Sequence, residues 1–164
     1  WLSTQKSFYE SNIEKLDALM TKAGASSSHN NVSTEVHKKL DFIELAEKGI
    51  DNNVVYESDA IQFDVNSAKL NAKSVATLDQ LVVLLTKFKD KKIDLAAHTD
   101  SDGDDAKNLK LSSDRALACK DYLISKGIEI ERVVANGFGE TKPIADNATT
   151  EGKQKNRRTE FNFN

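Results

Sequence analysis

The chain has 164 residues, of which 38% are hydrophobic and 30% are charged, and its formal net charge at pH 7 is -3. This composition supports one ordinary folded core and excludes a chain that is disordered throughout. It lacks the basic excess of nucleic-acid binders, and no apolar run approaches the roughly 18 residues that span a bilayer. We therefore expect neither nucleic-acid binding nor direct membrane insertion by this chain, and its oligomeric state stays open.

Residues 1–58 are predicted to form a mainly helical N-terminal segment, to which the sequence assigns no role. Apolar residues recur there at helical spacing: Tyr9, Ile13, Leu16 and Met20. A polar linker, GASSSHNNVST, follows. A second helix is predicted from Val36 to a stop near Gly49, although alternation around Leu40 and Phe42 also fits a strand.

Residues 59–164 alternate between strand and helix patterns and are predicted to form one domain. AIQF predicts a short strand, and NSAKLNAKSVATLDQLVVLLTKFKD predicts an amphipathic helix. The inner face of this helix carries four apolar residues: Leu78, Leu81, Val82 and Leu85. KKIDLAAHTD then predicts a strand with Ile93, Leu95 and Ala97 on one side.

The rest of this domain continues the alternation. LSSDRALACKDYLISKG predicts a helix that ends at Gly127, with Cys119 as a small buried hydrophobe. VVANGFG predicts a strand, EGKQKNRR a short helix and RTEFNFN a final strand. Strand–helix–strand units of this length favour parallel neighbouring strands joined by right-handed crossovers.

The stretch AAHTDSDGDDAKNLKLSSDRA contains five acidic residues and raises the question of a calcium site. An EF-hand loop that starts at Asp100 needs Gly at its sixth position and Glu at its twelfth. Those positions hold Asp105 and Leu111, so a solvated acidic turn is favoured. A calcium-dependent interaction domain that uses the Asp100–Asp105 cluster stays as an alternative. His98 has no HExxH motif or second histidine nearby, which predicts a hydrogen-bonded structural residue, no metal site and no cofactor.

Asp100 and Arg115 are the candidate site residues that the pattern itself brings together. Asp100 is predicted to end a strand, and Arg115 to lie in the first turns of the next helix. Such positions meet at the sheet edge where open α/β folds bind ligands. Spacing alone favours an internal salt bridge between the two. The alternative is a receptor for a zwitterion, in which the carboxylate binds an ammonium and the guanidinium binds a carboxylate.

Three ordered blocks of the chain carry a resemblance to a known family. HTDSDGDDAKNLKLSSDRALACKDYL resembles the pattern HTDxxGxxxxNxxLSxxRA of the OmpA-like C-terminal domain. IQFDVNSAKL resembles the opening strand of that family, and GFGETKPIADNATTEGKQKNRRTEF resembles its second block. Ala97 departs from the pattern, since glycine usually precedes His-Thr-Asp. The resemblance covers about residues 60–164 and does not cover residues 1–58.

The resemblance implies an α+β fold, an α/β sandwich with a mixed sheet, a β-α-β-α-β core and helices packed on one side. It also implies binding of the diaminopimelate in the peptidoglycan stem peptide. By motif position, Asp100 is the acidic ligand-binding residue and Arg115 the basic one. Further groove positions are matched by Thr99, Asn108, Leu111, Phe63 and Asp64. The family's arginine pair, in which at least one member is expected to be structural, is matched by Arg157 and Arg158.

The function that the resemblance implies is non-covalent anchoring of an outer-membrane protein or lipoprotein to the cell wall. The expected location is the periplasmic side of a Gram-negative-type envelope, in a parent protein associated with the outer membrane. A flagellar-stator-type wall anchor stays as an alternative and would need a membrane helix upstream. A wall-cleaving enzyme would need a nucleophile or acid–base pair that the sequence does not show, so no catalysis is expected. Residues from about 58 onward are expected to fold and bind alone.

Overall fold

The computed structural model describes residues 36–52, 54–58 and 61–164, all within the second of two compact units, Trp1–Thr34 and Glu35–Asn164. The predicted helix around residues 9–20 lies outside the described residues. In chain order the described elements are β1 (Val36–Lys39), α1 (Phe42–Lys48), β2 (Val54–Glu57), α2 (Ala72–Lys87), β3 (Ile93–His98), α3 (Asp105–Ser125), β4 (Val133–Gly137), α4 (Thr150–Asn156) and β5 (Arg158–Phe163).

The strands form one mixed sheet in the order β1–β2–β5–β3–β4. β1 and β2 are parallel, β3 and β4 are parallel, and β5 runs antiparallel to its neighbours β2 and β3. The unit β3–α3–β4 therefore has the parallel arrangement that its length predicted. In the part of the chain that the structure describes, no helix combines the length and apolar character needed to cross a membrane.

The core lies between the helices and one face of the sheet. Ile93 and Leu95 of β3 and Phe161 and Phe163 of β5 are 0% exposed. The helices cover them with buried apolar residues: Leu78, Leu81, Leu85, Cys119 and Leu123. Burial raises the pKa of the Cys119 thiol to about 12, as suits a core residue. The intervening residues of β3 and β5 face away from the helices, which confirms the predicted one-sided packing.

The predicted helix from Val36 is wrong in its first part, because residues 36–39 form β1. Asp41 caps α1: its carboxylate accepts hydrogen bonds from two backbone N–H groups of the first turn, at 3.0 and 3.1 Å. A capping residue has an extended backbone, so the helix cannot begin before it. The predicted stop is confirmed at Gly49, where a φ of 88° breaks the helical conformation.

The predicted strand AIQF is wrong over residues 61–63, which belong to no strand. Gln62 N donates to Ser74 Oγ at 3.2 Å, and Ser74 Oγ donates to Gln62 O at 2.9 Å. A side chain that satisfies both backbone groups leaves none for a neighbouring strand. The strand beside β5 is instead β2, with Val54 and Tyr56 buried in the core. The predicted division between residues 58 and 59 thus falls inside the second compact unit.

α3 carries the residues of the acidic stretch and starts earlier than predicted, at Asp105. Asp104 caps it by accepting a backbone N–H of the first turn at 3.0 Å. Its predicted end is confirmed, since Gly127 follows the last turn with a φ of 97°. Gly137 lets β4 pack directly on α3, because a Cβ there would overlap the backbone of Ser113.

Candidate functional site

The His-Thr-Asp stretch runs from the end of β3 into the loop before α3, where Thr99 and Asp100 are buried. Thr99 N donates to Gly139 O at 2.9 Å. The Thr99 hydroxyl donates to the carbonyl of Asp100, also at 2.9 Å. These bonds hold the chain where it leaves the sheet, so the Asp100 carboxylate has a fixed position at the sheet edge.

The Asp100 carboxylate pairs with Arg157, and the salt bridge with Arg115 that spacing favoured is not formed. Arg157 Nη1 donates to Asp100 Oδ2, and the backbone N–H of Asp102 donates to Oδ1 at 2.9 Å. The Arg157 side chain is 48% exposed and that of Asp100 only 10%, so the guanidinium lies at the rim of the site. The pairing joins positions 57 residues apart, and no local sequence pattern could have revealed it.

Arg115 reaches the same site from α3 and is held by the turn before α2. Its Nε donates to the carbonyl of Ser67 at 2.8 Å, and its Nη2 donates to that of Asp64 at 3.1 Å. The guanidinium also lies over the ring of Phe63, 5.0 Å from the ring centroid. Two of the five N–H groups of an arginine are used in this way. The other three make no hydrogen bond to the described residues.

Asp100, Arg115 and Arg157 together carry one more positive than negative charge. Burial lowers the pKa of Arg115, Arg157 lowers it further, and Asp100 acts in the opposite direction. One carboxylate thus faces two guanidinium groups, and one positive charge has no compensating partner among them. A planar guanidinium in this setting suits a ligand carboxylate held by two hydrogen bonds.

α3 presents Asn108, Leu111 and Arg115 on one face, since they are three and four residues apart. Asn108 is buried, and its Nδ2 donates to the carbonyl of Asp102 and to Oε2 of Glu140, both at 2.9 Å. Its amide hydrogens therefore hold the loop in place, while Leu111 is half-buried at the groove. Glu140 was not singled out from the sequence, because only the folded loop brings it to Asn108.

Asp102 and Asp104 of the acidic stretch have partners within the protein. Asp102 pairs with Lys153 at 2.8 Å, and the hydrogen bond to Asp102 raises the pKa of Lys153. Asp104 caps α3, and Asp105 lies in its first turn, where negative charge is favoured. Across the described ranges, no group of three or more His, Cys, Asp or Glu residues is arranged to hold a metal ion. Nothing in this geometry favours the calcium alternative.

Arg158 and His98 lie on the other face of the sheet. Arg158 donates to Glu160 Oε1 at 2.7 Å and to the carbonyl of Lys142 at 3.0 Å, so its contacts are internal. His98 stacks on Phe138, with ring centroids 5.4 Å apart. Its Nε2 lies 3.4 Å from Glu160 Oε2, outside hydrogen-bond geometry. The predicted hydrogen-bonded histidine is thus buried but has no hydrogen bond to the described residues.

The OmpA family model matches residues 62–157, which is more than half of the chain. The chain belongs to the OmpA family. It is 41% identical over 115 residues to photosystem I P700 chlorophyll a apoprotein A2 of Gloeobacter violaceus, covering 66% of this chain and 12% of that protein. It is 42% identical over 101 residues to outer membrane porin F of Pseudomonas aeruginosa, covering 61% and 29%. The chain therefore spans less than a third of either relative.

Among solved structures, the OmpA-family chain is similar to the peptidoglycan-associated lipoprotein from Burkholderia pseudomallei. The TM-score is 0.59 at 26% identity, and the match covers 63% of this chain and 88% of that one. The family segment includes every predicted groove residue from Phe63 to Arg115 and ends at Arg157. The matched segment begins after β2 (residues 54–57), although β2 pairs with β5 in the same sheet.

Proposed function

We propose that this OmpA-family domain binds peptidoglycan non-covalently through the diaminopimelate of the stem peptide. It would thereby anchor an outer-membrane protein or lipoprotein to the cell wall from the periplasmic side. Asp100, Arg115 and Arg157, which meet beyond the end of β3, carry this proposal. The similarity to a peptidoglycan-associated lipoprotein and to an outer membrane porin supports it.

Diaminopimelate carries an ammonium and a carboxylate on one carbon at the end of its side chain. In the proposed complex, Asp100 accepts from the ammonium, and the unused N–H groups of Arg115 bind the carboxylate. Arg157 compensates the charge of Asp100 before the ligand arrives. Thr99 and Asn108 hold the loop, and Leu111, Phe63 and Asp64 border the groove. Hydrogen bonds to charged groups contribute about 1.5–3 kcal/mol each, which after the cost of association gives weak to moderate affinity.

The same geometry supports binding without catalysis. The carboxylates of Asp100, Asp102 and Asp104 are occupied by an arginine, a lysine or a backbone N–H group. The Thr99 hydroxyl donates to a backbone carbonyl rather than to a general base. A hydrolase would need a nucleophile or water activated by such a base. We therefore propose a binding module.

The choice between diaminopimelate-type and lysine-type walls tests the proposal. A lysine stem has the side-chain amine but lacks the carboxylate beside it, so Arg115 would be desolvated without a partner. Sites built around a polar group discriminate strongly against ligands that lack it. We expect co-sedimentation with diaminopimelate-type peptidoglycan and little with lysine-type peptidoglycan, at matched ionic strength. Equal retention on the two walls would mean that the carboxylate is not recognised.

Two substitutions localise the site. Asp100→Asn keeps the shape but removes the charge that binds the ammonium and compensates Arg157. Breaking such a pair costs about 2–5 kcal/mol of binding, enough to abolish weak retention. Arg115→Lys should be weak on both walls, because an ammonium cannot hold a carboxylate at two points. Asp114→Asn is the matched control, since Asp114 makes an exposed pair with Lys110. Unchanged sedimentation of Asp100→Asn would place the site elsewhere.

A further inference from the structure

The face of the sheet opposite the helices carries a cleft of about 340 Å³. Its floor is formed by outward-facing residues of β3 and β5, and Phe138 with residues 142–144 forms a wall. Ala96 and Glu160 are cross-strand neighbours in the middle of the floor, while His98 and Asn162 lie toward opposite ends. None of these residues belongs to the proposed stem-peptide site.

Side chains that line the two ends of the cleft carry buried polar atoms that have no hydrogen bond to the described residues. They are Nδ1 and Nε2 of His98, whose side chain is 1% exposed, and Oδ1 of Asn162. A buried polar atom without a hydrogen bond costs about 1–3 kcal/mol, so such atoms call for a partner in the cleft. A neutral imidazole supplies one donor and one acceptor, and an amide oxygen is an acceptor.

The charged groups of the cleft are already engaged, which disfavours a charged ligand. Arg158 donates to Glu160 at 2.7 Å. Asn164 donates to Asp94 at 3.0 Å. Lys142 lies over the ring of Phe138, 3.9 Å from its centroid. A neutral ligand with hydroxyl or amide groups would satisfy the remaining polar atoms without adding an unpaired charge. Apolar contacts are offered by three lining residues: Val55, Pro143 and Ile144.

The spacing of the unsatisfied atoms sets the length of the ligand. In the strand register, His98 lies opposite Arg158 and Asn162 lies opposite Asp94. Four residues of strand therefore separate the two ends, a distance of about 13 Å. One sugar ring or one acetamide is too short to contact both ends, whereas a disaccharide approaches this length. A cleft of this volume falls in the range of small-molecule sites.

We propose that this cleft binds a disaccharide of N-acetylated hexosamines, a unit of the glycan strand, which presupposes the proposed peptidoglycan function. Acetamido N–H and hydroxyl groups donate to Asn162 Oδ1 and Glu160, His98 donates to a sugar oxygen, and a methyl group packs against Ile144. The wall of the cleft also adjoins the stem-peptide site. Gly139 accepts from Thr99 on one side, and Lys142 O accepts from Arg158 on the other. Glycan and stem peptide would thus be held at the same end of the sheet.

The test is a nuclear magnetic resonance titration of the full chain with N,N′-diacetylchitobiose, with cellobiose as the matched sugar lacking acetamido groups. We expect chitobiose to shift the side-chain amide signals of Asn136 and Asn162 and the backbone signals of residues 94–98 and 158–162. Cellobiose should bind at least about fivefold more weakly. No shift at about 10 mM chitobiose, where a Kd near 1 mM gives near saturation, would overturn the proposal. Equal binding of the two sugars would also overturn it, as would shifts confined to residues 99–108.

Variants separate this cleft from the stem-peptide site. Asn162→Val should weaken chitobiose binding by about fivefold through loss of one acceptor. Val134→Thr, on the same face and outside the cleft lining, is the matched control. Asp100→Asn should strongly weaken wall sedimentation, leaving only what the cleft itself holds, and should leave the chitobiose titration unchanged. If wild-type protein bound chitobiose but not diaminopimelate-type walls, only the stem-peptide proposal would fail. The reverse result would overturn the cleft alone.

Discussion

Asn66 is the residue whose backbone conformation positions Arg115. Its φ is 55°, in the left-handed region, and Ser67 N donates to Asp64 O at 3.0 Å across the same turn. The carbonyls of Ser67 and Asp64 are the two groups that accept from Arg115. Asn and Gly tolerate this region, whereas a β-branched residue is strained there by about 1–2 kcal/mol. The identity of residue 66 therefore controls both anchors of the guanidinium.

We expect Asn66→Gly to keep binding to diaminopimelate-type walls and Asn66→Val to weaken it by about tenfold, because the turn must open to relieve the strain. Co-sedimentation measures the loss, and the ratio of retention on diaminopimelate-type to lysine-type walls measures selectivity. A merely structural role would lower thermal stability and leave that ratio unchanged. Such a result would show that the turn does not position Arg115.

Glu160 has a lowered pKa, which makes the stability of the fold depend on pH. Burial raises its pKa, but contacts with His98 and Arg158 outweigh burial and lower it to about 2. A carboxylate with a depressed pKa stabilises the fold above its unfolded pKa of about 4.3. That stabilisation decreases as the pH falls from about 5 to 2, where the carboxylate becomes protonated in the folded state as well.

We therefore expect Glu160→Gln to lower the free energy of unfolding by on the order of 3 kcal/mol at pH 7, and by much less near pH 2. Urea denaturation at both pH values measures the difference. Glu131→Gln, at an exposed carboxylate, is the control and should change little at either pH. If the loss in free energy of unfolding caused by Glu160→Gln were the same at pH 7 and pH 2, the lost contact would not be electrostatic.

Among the helices and strands, the length of each element decided whether its apolar pattern could be recognised in the sequence. α2 has 16 residues and α3 has 21, long enough for the helical period to be recognised, and β5 alternates over six. β1 and β2 have four residues each, and their backbone partners lie in other strands, so the local sequence carried little signal. AIQF has the composition of a strand, but the Ser74 hydroxyl hydrogen-bonds to both the N–H and the C=O of Gln62, so these groups do not pair with a strand.

The same limit applies to the site. The motif predicted Asp100, Asn108 and Arg115 as site residues, and their spacing places them on one loop and one helix face. It did not show that Arg157 would be the partner of Asp100, since that contact depends on how β5 enters the sheet between β2 and β3. The buried acceptor of Asn162 was equally hidden, because an alternating strand pattern does not show which polar groups stay unpaired.

β2 lies between β1 and β5, so its removal should expose the long edge of β5. The fragment 59–164 would lack β1, α1 and β2, and with them three residues of the buried core cluster: Leu45, Val54 and Tyr56. Each buried apolar side chain contributes about 1.5–3 kcal/mol. We therefore expect residues 35–164 to be a stable unit and 59–164 to be much weaker, which revises the expectation that residues from about 58 fold alone.

Thermal unfolding followed by circular dichroism compares the two fragments. The midpoint of 59–164 should be lower by about 10 °C or more, given that 1 kcal/mol shifts the midpoint of a domain of this size by about 4 °C. The full chain serves as the reference for 35–164. Equal midpoints for both fragments would show that β1, α1 and β2 add nothing to the stability of the sheet.

At the scale of the whole molecule, weak binding at each stem-peptide site suits the nature of the proposed ligand. A cell wall presents the same stem peptide many times on one surface. Two linked binding modules convert the second binding event into an intramolecular one, and total retention can exceed that of one module by about 10²–10⁴-fold. Tethering a parent protein in a membrane would have a similar effect, because it keeps the domain near the wall.

We expect a fusion that joins two copies of this chain through a flexible linker to be retained on diaminopimelate-type sacculi at least about 100-fold better than one copy. Its affinity for a soluble, monovalent stem peptide, measured per site by calorimetry, should equal that of the single chain. The control is a fusion with Asp100→Asn in one copy, which has the same size and nearly the same charge but a single working site. Its retention should fall to that of one copy. If it stayed as strong as the intact fusion, retention would come from general attraction to the wall rather than from two occupied stem-peptide sites.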